Sequence, residues 1–131
     1  MTPKIPLYFT ELPIYKKAID IIILSRSIST YLNHDLAYLN TNGNEDSHIY
    51  FSGDIVQQST LIAPEIIKAE SEYCKNKQHK HFASIERLTN LLYNNCKRLE
   101  RSNSNGKDYL PILRNELKKF KRLQRIWMMT L

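Results

Sequence analysis

Apolar residues recur in this chain at intervals of three and four, the spacing that lines up side chains on one face of an α-helix, and they do so in four separate stretches. Over residues 12–39 the pattern passes through Tyr15, Ala18, Ile19, Ile22, Ile28 and Leu32, with an interruption at Arg26. Pro13 suits the opening turn there, because it has no amide hydrogen to leave unpaired. Over 48–75 the pattern passes through Ile55, Ser59, Ile62, Ile66, Ala69 and Tyr73. Pro64 falls inside that run, where it removes a backbone hydrogen bond and crowds the preceding turn, which predicts a bend near 60–63 or a break into two helices. Residues 79–102 carry Phe82, Ile85, Leu88, Leu92, Cys96 and Leu99, and residues 108–130 carry Leu110, Leu113, Leu117, Phe120, Leu123 and Trp127.

The connections are equally legible. Residues 40–47 are dense in turn formers, with Asp46 or Ser47 placed to cap the helix that follows. Residues 75–78 form a short polar link and 102–107 a second loop, after which Asp108 is placed to accept hydrogen bonds from free amides and Pro111 fits the first turn. Four amphipathic helices with short connections predict an all-α, antiparallel four-helix bundle occupying the whole chain as one domain.

Composition supports this reading. With 3 Gly and 5 Pro in 131 residues there is too little turn-forming material for the hairpins of a sandwich or barrel, while a 42% hydrophobic content suffices for a core. The longest uncharged apolar run, 21–24, is far short of the roughly 20 residues that span a bilayer, and no basic region followed by an apolar segment opens the chain. A soluble, unexported, cytoplasmic protein is expected. Cys74 and Cys96 sit in no disulfide framework, so both are expected as thiols.

Charge is distributed unevenly. Residues 1–95 hold 9 Lys or Arg against 10 Asp or Glu, whereas residues 96–131 hold 10 against 3, so the net +6 lies in the last quarter. Arg114, Lys118, Lys121 and Arg125, spaced four, three and four, run along one line of the last helix, flanked by Lys119 and Arg122. Lys97, Arg98 and Arg101 of the third helix widen the patch if the two helices are neighbours. Such a row costs helix stability through repulsion, which a polyanion or an acidic partner protein relieves. Nucleic-acid binding on this face would be mainly to phosphates and steeply salt-dependent. Tyr93, Tyr109 and Trp127 lie close enough in sequence to add base stacking, although core packing accounts for each as well.

Other constellations point away from catalysis. His79 and His81 with Cys74 lack the spacing and the fourth ligand of a tetrahedral metal set, and read as surface residues at a helix start. Cys96 on an apolar stripe reads as a buried thiol rather than a nucleophile. Glu65, Glu70, Glu72 and Glu86 show no catalytic spacing, and three isolated glycines form neither a phosphate loop nor a dinucleotide fingerprint. No enzyme activity, cofactor or metal is expected.

The opening 12–18 (Leu-Pro-Ile-Tyr-Lys-Lys-Ala), the apolar run after it, and the closing 123–127 (Leu-Gln-Arg-Ile-Trp) resemble a four-helix-bundle family with two groups. One group comprises the accessory variability determinants of diversity-generating retroelements, the other the proteins encoded in intervening sequences of bacterial large-subunit ribosomal RNA genes. The resemblance spans about residues 12–127 and implies a protomer that assembles into a ring-shaped homopentamer with a basic surface. In the retroelement group it implies a non-catalytic partner of the reverse transcriptase, contacting template RNA or an RNA–DNA hybrid so that cDNA synthesis and mutagenic homing proceed. Arg114, Lys118, Lys121, Arg122 and Arg125 match that family in being basic near the last helix. The alternative is a protein of the ribosomal intervening-sequence type, or another helical oligomer, that docks an acidic protein and binds no nucleic acid.

Overall fold

The computed structural model describes residues 7–36, 48–102 and 105–131. The described elements are all helical: α1 (Leu7–Glu11), α2 (Pro13–Leu36), α3 (His48–Ser71), α4 (Lys75–Leu99), a 3₁₀ turn (Asn105–Tyr109) and α5 (Leu110–Met129). The short α1 has no counterpart among the four predicted helices. The loop over 40–47, with its capping candidates Asp46 and Ser47, lies outside the described residues.

Helix α2 packs against α3 and α5, and α4 packs against the same two, so the four long helices close into a bundle. Directions follow from side-chain pairs. Ala69 meets Gln78, and Gln58 meets Asn95, so α3 and α4 run antiparallel. Phe82 meets Trp127 while Glu100 meets Arg114, which makes α4 and α5 antiparallel. Lys17 meets Glu116 while Tyr31 meets Tyr109, so α2 opposes α5 and hence also α3.

The core follows the predicted stripes in α4, where Phe82, Ile85, Leu88, Leu92, Cys96 and Leu99 are all buried. In α2 the predicted positions Ala18, Ile28 and Leu32 are buried, but the line between them differs from the predicted one. Ile14, Ala18, Ile21, Ser25, Ile28 and Leu32 form the buried line, and Tyr15, Ile19 and Ile22 only flank it. Apolarity alone conceals this line because it passes through Ser25. Small hydroxylated residues let α2 and α3 approach closely, and the Ser29 and Ser52 hydroxyls lie 2.9 Å apart in the seam. Similarly, Gln124 rather than Leu123 is buried in α5, its amide donating to the Phe82 carbonyl at 3.4 Å. Each fully buried Ile or Leu contributes roughly 1.5–3 kcal/mol relative to exposure.

Three boundaries depart from expectation. Helix α3 stops at Ser71, which leaves Tyr73 wholly exposed in the connection instead of on the core stripe. Helix α4 starts at Lys75, so 75–78 is its first turn and no link, and the buried Gln78 amide donates to the Ala69 carbonyl at 3.0 Å, satisfying an acceptor in the last turn of α3. Asp108 lies within the 3₁₀ turn, and α5 is preceded by Tyr109 with no side-chain cap, although Pro111 does occupy the first turn. Helix α3 continues through Pro64 without the break allowed above. Pro64 and Thr60 are both exposed, so the carbonyl deprived of a donor is on the water side of the helix.

Candidate nucleic-acid interface

The α4–α5 seam gathers the basic residues. Because α5 buries Leu110, Leu113, Leu117, Phe120, Gln124 and Trp127, the positions one residue on from parts of that stripe fall on the flank facing α4. Arg114 lies there, its Nε donating to Glu100 Oε1 at 2.6 Å and its Nη1 reaching the Tyr93 hydroxyl at 3.5 Å. Lys121 Nζ donates to Asn90 Oδ1 at 2.6 Å and sits 5.6 Å from the centre of the Tyr93 ring. Lys97, one turn beyond Tyr93 on α4, holds its ammonium 5.1 Å from the same ring. Arg125 continues the row and, with Lys121, Gln124, Met128 and Glu86 of α4, lines a surface cleft of about 240 Å³.

Tyr93 is therefore the centre of the patch. Its phenol is held below the ordinary tyrosine range, first by the Arg114 hydrogen bond and then, against some desolvation, by the positive charges of Lys118, Lys97 and Arg114. Arg114 is held still more firmly protonated by its hydrogen bonds to Glu100 and Tyr93. Among the described residues no carboxylate stands within ion-pair distance of Lys97, Lys118, Lys121 or Arg125. Lys97 and Lys121 thus share the Tyr93 ring with no ion-pair partner, while Glu86 lines the cleft beside Lys121 and Arg125; cations so placed suit phosphates.

The other predicted site residues are placed elsewhere. Arg98 turns toward α3, its guanidinium 4.4 Å from the Phe51 ring centre. Lys119 pairs with Glu116 at 3.0 Å, on the side of α5 where Glu116 also meets Lys17 at 2.7 Å. Both lysines lower the Glu116 carboxyl, Lys17 more strongly. Arg122 and Arg101 are exposed and make no contact with the Tyr93 cluster. The sequence signal for Tyr93 as organiser was its four-residue spacing to Lys97; its place opposite Arg114 and Lys121 depended on how α4 and α5 pack.

The remaining candidates do not converge. His81 Nδ1 lies 2.8 Å from Glu65 Oε2, His79 packs edge-on against Phe82, and Cys74 is exposed in the α3–α4 connection. Among the described residues no three His, Cys, Asp or Glu side chains are placed to share a metal ion. Burial pushes the Cys96 thiol up to about 12, which disfavours its thiolate at neutral pH. No protein-family model matches the chain, and neither a curated protein nor a solved structure does.

Proposed function

We propose that this protein is a non-catalytic RNA-contacting subunit that grips phosphates along the α4–α5 seam and, as the family resemblance implies, works beside the reverse transcriptase of a diversity-generating retroelement. The observation that carries the RNA reading is the convergence of Lys97, Arg114 and Lys121 on Tyr93, with Lys118 and Arg125 at the intervening and following positions of the same row on α5. Phosphate contacts position a nucleic acid without reading its bases, which suits a subunit that holds template RNA, or an RNA–DNA hybrid, while the polymerase supplies the chemistry. The ring-shaped homopentamer belongs to the same proposal, since a closed ring would repeat the basic seam around one axis. Among the described residues no helix is long and apolar enough to cross a membrane, and a partner of template RNA and polymerase would work in the cytoplasm.

The test is affinity capture of the tagged protein from its native host, with proteins identified by mass spectrometry and RNA by sequencing. A reverse transcriptase together with one structured RNA is the expected result. The fourfold variant Arg114→Glu, Lys118→Glu, Lys121→Glu and Arg125→Glu should lose the RNA while keeping its helical circular-dichroism spectrum. RNA retained by that variant at physiological salt overturns the assignment of the seam. Capture of an acidic protein with no RNA would transfer the basic face to protein docking.

A further inference from the structure

Of Tyr93, Tyr109 and Trp127, Tyr109 is the most open to a flat ligand. Trp127 is buried, and its indole N–H donates to Glu70. The Tyr93 ring is half-buried and has Lys97, Arg114 and Lys121 about it. Tyr109, by contrast, is 45% exposed and lies beside Tyr31, itself 57% exposed, with ring centres 5.5 Å apart and planes 30° from parallel. One residue comes from α2 and the other from the turn that opens α5, and the half-exposed Ile112 follows on α5. The pair lies on the α2 side of α5, across that helix from the flank on which Arg114 and Lys121 meet α4.

We infer that the Tyr31–Tyr109 pair is a stacking platform for an unpaired base of single-stranded RNA whose phosphates follow the α5 cations. The inference rests on the RNA reading proposed above and names its substrate class. Sequence-tolerant binding of single strands combines a basic groove with aromatic faces on which bases stack. Arg114 is about 7.5 Å further along the helix axis than Tyr109, and the helix is about 10 Å across. A few nucleotides of unpaired strand span that path with one base turned onto the tyrosines. In a duplex the bases are already paired and stacked, so the same phosphate track leaves the rings unused.

The experiment compares three fluorescently labelled probes by anisotropy: a single-stranded RNA, the same strand annealed to its complement, and an abasic sugar–phosphate oligomer of equal length. The wild-type protein should bind the single strand most tightly. Replacing both rings, Tyr31→Leu with Tyr109→Leu, should weaken single-strand binding by roughly 5- to 150-fold per stacked base and leave the abasic probe unaffected, whereas Tyr31→Phe with Tyr109→Phe should retain the wild-type preference. Equal wild-type affinity for the single strand and the abasic probe, or an unchanged single-strand affinity in the leucine variant, overturns the inference. Where the leucine variant fails to fold, Tyr109→Trp serves instead: its added emission should be quenched by the single strand and not by the abasic probe, and equal response to both overturns stacking. The two readings fail separately, because RNA binding that survives the fourfold glutamate variant defeats the phosphate seam, while its loss with no effect of the leucines defeats only the platform.

Discussion

Arg114 Nε donates to Glu100 Oε1 at 2.6 Å across the α4–α5 seam, so one cation of the basic row is anchored by a carboxylate while its neighbours Lys118 and Lys121 are not. Membership of one row along a helix thus conceals unequal roles. Arg114 fastens the end of α4 to the beginning of α5 and orients the Tyr93 hydroxyl, whereas the lysines offer charge.

This division can be measured. Arg114→Gln should lower folding stability by about 0.5–1.5 kcal/mol in denaturant unfolding, the range for a partly exposed charged hydrogen bond. Lys118→Gln should leave stability nearly unchanged and act on RNA affinity instead. Each lysine that contacts a phosphate should, on removal, flatten the plot of log affinity against log salt by about 0.7 for a single strand. An unaltered salt slope in a Lys118→Gln, Lys121→Gln variant would show that neither lysine meets a phosphate.

Tyr93 should ionise below the ordinary tyrosine range. Its hydrogen bond from Arg114 and the nearby charges of Lys118 and Lys97 favour the phenolate, so ultraviolet titration should show an early phase corresponding to one of 8 tyrosines. Tyr93→Phe should abolish that phase, and bound polyanion should shift it upward by offsetting the surrounding positive charge.

The Lys17–Glu116–Lys119 cluster predicts an acid limb. Glu116 ionises below the ordinary carboxylate range because Lys17 and Lys119 hydrogen-bond to it. Its stabilising contribution is complete above the unfolded value of about 4.3 and is lost as pH falls through the lower folded value. Glu116→Gln should therefore be less stable than wild type at pH 7 and converge with it in acid, which thermal melts over that range would reveal.

The cysteines should differ in reactivity. Ellman's reagent should label exposed Cys74 quickly and buried Cys96 only on unfolding. Because the folded Cys96 thiol is pushed up to about 12, its protonated form is favoured by folding; stability from this source is present below the unfolded value of about 8.5 and declines as pH rises toward 12. Cys96→Ala should flatten that alkaline decline.

The register of α2 gives a further test. Ile21→Ala should cost about 2–4 kcal/mol, because Ile21 is fully buried, while the flanking Ile22→Ala should cost distinctly less. Ser25 is buried with no hydrogen-bond partner for its hydroxyl, so Ser25→Ala should hold or raise the melting temperature. A larger loss at Ile22 than at Ile21 would place the other face of α2 in the core.

How much of this was legible beforehand varies with the element. In α4 every position of the predicted stripe from Phe82 to Leu99 is apolar and buried, and the polar Thr89 and Asn95 are buried beside it. In α2 and α5 the buried line passes through Ser25 and Gln124, where hydrophobicity alone points to the neighbouring Ile22 and Leu123. The cation row could be read from spacing within α5, but its convergence with Lys97 on Tyr93 could not.

Helical class, the approximate number of long helices and the concentration of charge toward the end are properties of local order along the chain, and the residues alone determined them. Periodicity is a one-helix property, set by 3.6 residues per turn. Which of two adjacent faces is buried, whether Gln78 opens a helix or belongs to a link, and which cations share a tyrosine were decided only in the bundle. Those outcomes depend on packing distances and buried hydrogen-bond partners contributed by other helices: Ser52 opposite Ser29, the Ala69 carbonyl opposite Gln78, and Glu100 opposite Arg114.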